Sequence, residues 1–227
     1  MAPFRPTTLD LLLATLLALG IPVAAAALLD RTGGALMPLA LYYGVACVAV
    51  PWWRRKSLGY DAPRRWPWEI FLPALLLPIG LAALKWNDRI LPDTPAAAAT
   101  SGVILTALIW APLNALLEQV GWFYVLDAWR LRWSTGWQRA AGTIIGIVLT
   151  LVFIALIHIL FWARFLPAGG EGSGALLAIA QILNLLLTGA YWWMWQRSGS
   201  LWPTFVLHLL VDLQLVLLSW YSIIPAL

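Results

Sequence analysis

The chain has 227 residues, 62% of them hydrophobic and 11% charged, with a mean hydropathy of +0.83; a soluble domain carries about 45–50% apolar and 25% charged residues, so a water-facing globule is excluded. A lone cysteine, Cys47, rules out a disulfide framework and a CxxC metal or redox site. The net charge of +4 is assigned to loops that anchor the protein in a membrane rather than to a nucleic-acid partner, and no Gly-rich phosphate loop points to an ATP-driven pump.

About 20 mainly apolar residues are needed to cross the hydrocarbon layer as a helix. By that rule spans are expected at 8–29, 35–53, 68–86, 101–128, 140–162, 174–195 and 202–223. The first follows one arginine and no small-residue cleavage site, and reads as a retained span rather than a cleaved signal. Open strand edges leave backbone groups unpaired in lipid, so every span is expected to be helical. The expected fold is therefore all-α: a polytopic bundle of about seven transmembrane helices, forming a single membrane-embedded domain over 1–227. Pro22, Pro38, Pro73, Pro78 and Pro112 fall inside spans and are expected to kink them.

Orientation follows from the connections. Arg5, the cluster Arg54, Arg55, Lys56, Arg64 and Arg65, the group Arg130, Arg132 and Arg139, and Arg197 share one side, leaving Arg31, Lys85, Arg89 and Arg164 on the other. The richer side is expected to be cytoplasmic, with the amino terminus inside. Tryptophans such as Trp52, Trp53, Trp68, Trp133, Trp193 and Trp202 flank the same basic loops, as an interfacial belt would. The segment 86–100 reads as an external connection.

An ionisable side chain in hydrocarbon costs about 2.5–3.5 kcal/mol on insertion scales, and so is a functional candidate by default. Four stand out: Glu118, His158, His208 and Asp212. His208 and Asp212, at i and i+4, share one helix face, as do Asn114 and Glu118. Asp10 and Asp127 lie near span ends and are expected to reach water. Gly121, and Gly142 with Gly146, mark places where helices can approach closely. In an antiparallel hairpin, Glu118 and His158 come out about 9 Å apart in depth, a mismatch that a tilt or a later helix start must absorb.

A carboxylate beside an imidazole can deprotonate a water, and a second imidazole can stabilise the oxyanion of an attacked carbonyl. Two histidines and carboxylates also suit zinc. A buried network that locks helices together, or a proton or ion pathway, would use the same residues, so the spacing alone leaves hydrolysis, scaffolding and transport open.

The motifs themselves narrow the choice. Glu118-Gln-Val-Gly-Trp-Phe123, Ile154-Ala-Leu-Ile-His158 and His208-Leu-Leu-Val-Asp212 follow the order of EExxxR, FxxxH and HxxxN/D, and the third lies within Gly199-Ser-Leu-Trp-Pro-Thr-Phe-Val-Leu-His208. Over roughly 50–220 the chain resembles the CPBP family of intramembrane proteases, which includes the type II CAAX prenyl proteases. Gln119, Phe123 and Ile154 depart from the signatures; the first two remove the motif's acid and base together, which leaves no buried charge without a partner. The resemblance implies an endopeptidase in which Glu118 activates water, His158 assists it, and His208 with Asp212 binds the oxyanion, at a polar site among spans 4, 5 and 7. It implies no cofactor, zinc being the disfavoured option since Gln119 lacks a carboxylate. It also implies a membrane-anchored or lipidated protein or peptide as substrate, and a prokaryotic plasma membrane as the location. A catalytically degenerate relative with an immunity, scaffold or regulatory role is the alternative, and an ion-coupled transporter the lesser one. The oligomeric state is not legible.

Overall fold

The computed structural model describes residues 4–86, 100–164, 174–220 and 222–223. The helices are α1 (Thr8–Thr32), α2 (Leu36–Arg55), α3 (Trp68–Ala74), α4 (Leu76–Trp86), α5 (Thr100–Arg130), α6 (Gly136–Leu160), α7 (Gly174–Ser198) and α8 (Trp202–Ser219). They fall where the hydropathy places the spans, with α3 and α4 dividing the third, and no strand occurs among the described residues. Four of them, α1, α2, α5 and α6, are long and apolar enough to cross a membrane, and Trp68–Ala83 and Trp202–Leu218 are shorter apolar helices. The chain is an all-helical integral membrane protein. Most of the connection expected at 86–100 lies outside the described residues.

In two places a proline is accompanied by a change of helix winding. α2 is π-helical over Ala40–Ala49 and α5 over Thr106–Trp110. Each stretch holds the carbonyl four residues before a proline, Cys47 before Pro51 and Leu108 before Pro112. A proline ring clashes with that carbonyl and offers it no N–H, and a wider turn relieves both problems. Between Pro73 and Pro78 the winding lapses for one residue at Leu75, which keeps αR dihedrals and marks the join of α3 and α4.

The contacts group into two compact units, each made of segments distant in sequence, with the division falling inside α5. The first comprises residues 1–58 and 117–163. Here α1 lies along α6 and against α2. Glycines set the closest approaches: a Cβ on Gly142 would stand 2.7 Å from the Trp129 carbonyl oxygen, and one on Gly146 2.7 Å from that of Leu126. A Cβ on Gly121 would meet the Ala46 carbonyl oxygen at 3.0 Å. These are the backbone-to-backbone contacts that the small residues in the sequence suggest.

The same unit corrects one expectation. Asp10 and Asp127 do not reach water; both are buried. Asp10 accepts from Arg54 Nε at 2.8 Å, from Tyr124 Oη at 3.0 Å, and from the backbone N–H and hydroxyl of Thr7 at 2.7 and 2.8 Å. Asp127 takes Arg55 and Arg130, each at 2.8 Å, and Arg55 also donates to the Phe123 carbonyl. The sequence places these carboxylates near span ends but cannot show that α2 returns its arginines to them. Burial without a partner is the costlier outcome, so the pairs form.

The second unit comprises residues 59–116 and 164–227. Within it α7 packs on α3 and α4, and α8 packs on α4, α7 and the π-helical turn of α5. The approach to α8 is held tightly. Leu201 N–H donates to the Gly59 carbonyl at 2.8 Å, Arg64 N–H to the Ser198 carbonyl at 2.9 Å, and Ser198 Oγ to the carbonyls of Met194 and Ser200. Gly199 turns the chain at φ +67°, where a Cβ is strained. Pro203 then opens the helix, in the first turn where its missing N–H costs nothing.

Two outcomes follow from this packing. Replacing Gly146 with Val pushes α6 off α5 and should cost about 1–3 kcal/mol, read as a lower thermal midpoint of the purified protein. Asp127→Asn leaves two guanidinium groups, one of them (Arg55) only 7% exposed, without their carboxylate. It should cost about 3–5 kcal/mol, and adding Arg55→Met should recover part of that loss in the same melt.

Candidate active site

Glu118 sits on α5 in the first unit and is 1% exposed. Its Oε1 accepts the Tyr42 hydroxyl at 2.9 Å and the Trp162 indole N–H at 3.0 Å. Tyr42 comes from the π-helical stretch of α2, and Trp162 from the 3-10 turn Trp162–Arg164 that follows α6. Tyr42 Oη in turn accepts from Trp122 Nε1 at 3.3 Å. The rings around the carboxylate also pack on one another. Phe153 meets Tyr42 edge-on at 5.9 Å, and Phe161 lies 4.9 Å from Trp162.

The register of α6 against α5 explains where His158 goes. Gly142 abuts the Trp129 carbonyl, Gly146 that of Leu126, and the Thr150 hydroxyl donates to that of Trp122 at 3.4 Å. One more turn of this antiparallel pairing brings Ile154, not His158, level with Glu118. His158 stands a further turn away, about 6 Å along the axis, so the depth mismatch anticipated from sequence persists. Its side chain is exposed, and its Nδ1 lies 2.7 Å from the Ile154 carbonyl oxygen of its own helix. The inward positions are Phe153, Ile157 and Phe161, so the histidine is one residue, about 100° of rotation, off the buried stripe. The structure does not bring His158 and Glu118 together.

In the second unit, His208 and Asp212 share the inner face of α8 and are 6% and 5% exposed. His208 Nε2 lies 3.7 Å from Asp212 Oδ1, longer than a hydrogen bond. Asn114 of α5 donates through Nδ2 to Asp212 Oδ2 at 3.0 Å, which fixes the carboxylate. The Tyr191 ring of α7 lies 5.5 Å from the imidazole, tilted by 32°. One helix thus carries Asn114 and Glu118 a single turn apart. Among the described residues no three His, Cys, Asp or Glu side chains are grouped as metal ligands.

Sequence reasoning missed Tyr42, Trp122, Trp162 and Tyr191, and noted Asn114 only for its spacing. A signal existed for Tyr42: a hydroxyl in the middle of an apolar span needs an acceptor. None existed for Trp162, since a tryptophan at a span end reads as part of the interfacial belt. Of the three departures from the family signature, Gln119 and Phe123 are buried and Ile154 is half-buried, and α2 supplies Arg55 to the Phe123 carbonyl.

No curated protein and no solved structure matches the chain. A family model does, the one described as type II CAAX prenyl endopeptidase Rce1-like, over residues 96–214. That stretch exceeds half of the chain and contains Glu118, His158, His208 and Asp212. Matched over the very residues that carry the ordered motifs, the chain belongs to the Rce1-like family of type II CAAX prenyl endopeptidases.

Proposed function

We propose that this protein is a working intramembrane endopeptidase that cleaves a peptide bond in a prenylated or otherwise membrane-anchored substrate. The observation that carries the reading is the state of Glu118: a carboxylate buried in an aromatic cage, with Oε1 bonded to two neutral donors. The phenol and the indole fix the orientation of that carboxylate, as a general base requires.

In this reading Glu118 takes a proton from water as the oxygen attacks the substrate carbonyl. The tetrahedral oxyanion is stabilised by the His208 imidazole, with the Asp212 carboxylate, held by Asn114, one helical turn away. Collapse breaks the C–N bond, and the proton on Glu118 passes to the departing amine. Tyr42 and Trp162 are positioning residues that hold Oε1. His158 is exposed and bonded to its own helix, and we assign it no step. Substrates of this class carry an isoprenoid on a C-terminal C-a-a-X cysteine, so a farnesylated C-a-a-X peptide is the probe of choice.

Glu118→Gln keeps an oxygen for both donors and removes the base. Release of the farnesylated peptide's terminal residues should fall by about 10²–10⁴-fold with the thermal midpoint little changed. Equal activity in that variant would remove Glu118 from the chemistry. A wild-type protein that fails to cleave any anchored peptide, together with a Glu118→Gln variant that melts early, would support the degenerate, scaffold reading instead. His208→Ala should lose activity while His158→Ala keeps most of it. The reading also expects activity to survive a strong chelator, with no stoichiometric zinc found by elemental analysis.

A further inference from the structure

The second unit carries a feature that the catalytic reading does not use. An open groove of about 890 Å³ runs between α7 and the α3–α4 rod, within the size range of ligand sites. Ile70, Pro73 and Leu77 form one wall, and Leu186, Gly189 and Ala190 the other. Each set follows helical spacing, so each wall is a continuous apolar stripe. Gly189 leaves the floor open, since a Cβ there would meet nothing within 4 Å.

The mouth has a different chemistry. Glu69, Gln196 and Arg197 line it, and Arg65 takes the Glu69 carboxylate at 2.6 Å. Arg197 is exposed and makes no ion pair among the described residues. Arg64, also exposed, has its Nε 3.4 Å from where a Cβ on Gly199 would stand, two residues beyond Arg197. Exposed Trp68 and Trp193 flank the opening on the two walls, as side chains at headgroup depth do. Apolar walls therefore lead to a mouth with more guanidinium than carboxylate.

We propose that this groove binds an anionic glycerophospholipid of the bilayer, with its phosphate at Arg197 and Arg64 and an acyl chain along the two stripes. Basic pockets between membrane helices recognise anionic headgroups in this way, and a guanidinium matches phosphate with paired N–H donors. A zwitterionic lipid brings a cation along with its phosphate and a bare isoprenoid brings no phosphate, so neither offsets the mouth's net positive charge. The inference stands apart from the proposed proteolysis, because none of these side chains belongs to the Glu118 or His208 clusters.

Native mass spectrometry of the full chain, purified in detergent, tests it with phosphatidylglycerol and phosphatidylcholine of identical acyl chains. The wild type should retain phosphatidylglycerol about tenfold more strongly. The double variant Arg64→Gln with Arg197→Gln should lose that preference. Gly189→Leu fills the floor without a clash, and should lower retention of both lipids while its thermal melt stays that of a folded protein. Arg31→Gln, remote in sequence from the groove, should change nothing. Equal retention of the two lipids by the wild type would overturn the proposal, as would undiminished phosphatidylglycerol on Gly189→Leu. One-for-one displacement of phosphatidylglycerol by a farnesylated peptide would also overturn it, giving the groove to the substrate.

Discussion

Hydrocarbon offers a buried carboxylate no hydrogen bond and no counter-charge, so each acid of this chain inside a span must find its partners within the protein. Two different solutions appear. At Asp10 and Asp127 the partner is arginine, supplied by the end of α2 and the end of α5, and the charge is cancelled where it lies. At Glu118 a tyrosine hydroxyl and a tryptophan indole donate to Oε1. Asp212 is treated in a similar way, with an asparagine amide on one oxygen and an imidazole near the other.

Backbone contact decides which side chains reach Glu118. Glycines at 142 and 146 let α6 lie directly on the carbonyls of α5, and once that register is set no side chain on α6 can choose its own depth. Phe153 is carried against Tyr42, and Trp162, just past the helix end, is carried to Glu118. The winding of α2 matters for the same reason. Its π-helical stretch, forced by Pro51, contains the tyrosine that reaches the carboxylate. A proline whose visible effect is a local unwinding thus contributes to the polar cluster, consistent with the frequent placement of π-turns at functional sites.

The loss of the second motif acid and the motif arginine is intelligible in these terms. Gln119 and Phe123 are both buried, so retaining one charge of the pair would have left it unpaired in a medium that cannot solvate it. Losing both preserves the fold. The residue that the proposed reaction requires, Glu118, is the member of that run whose environment is built around it.

Much was legible before any coordinates. Composition required a membrane protein, hydropathy located the helices, and the ordered motifs at Glu118, His158 and His208 indicated the family. These are local or cumulative properties: a run of apolar residues is helical in lipid whatever its neighbours, and i, i+4 spacing puts His208 and Asp212 on one face in any helix. Tertiary structure alone decided who meets whom. A single residue of offset turns a side chain by about 100°, enough to send His158 outward while Ile157 packs inward, and a motif match is blind to that rotation. Nor can hydropathy foresee that α2 bends its arginines back to Asp10 and Asp127, or that Tyr42 and Trp162 converge on Glu118. Those pairings join residues dozens of positions apart, and their geometry is set by the packing of whole helices.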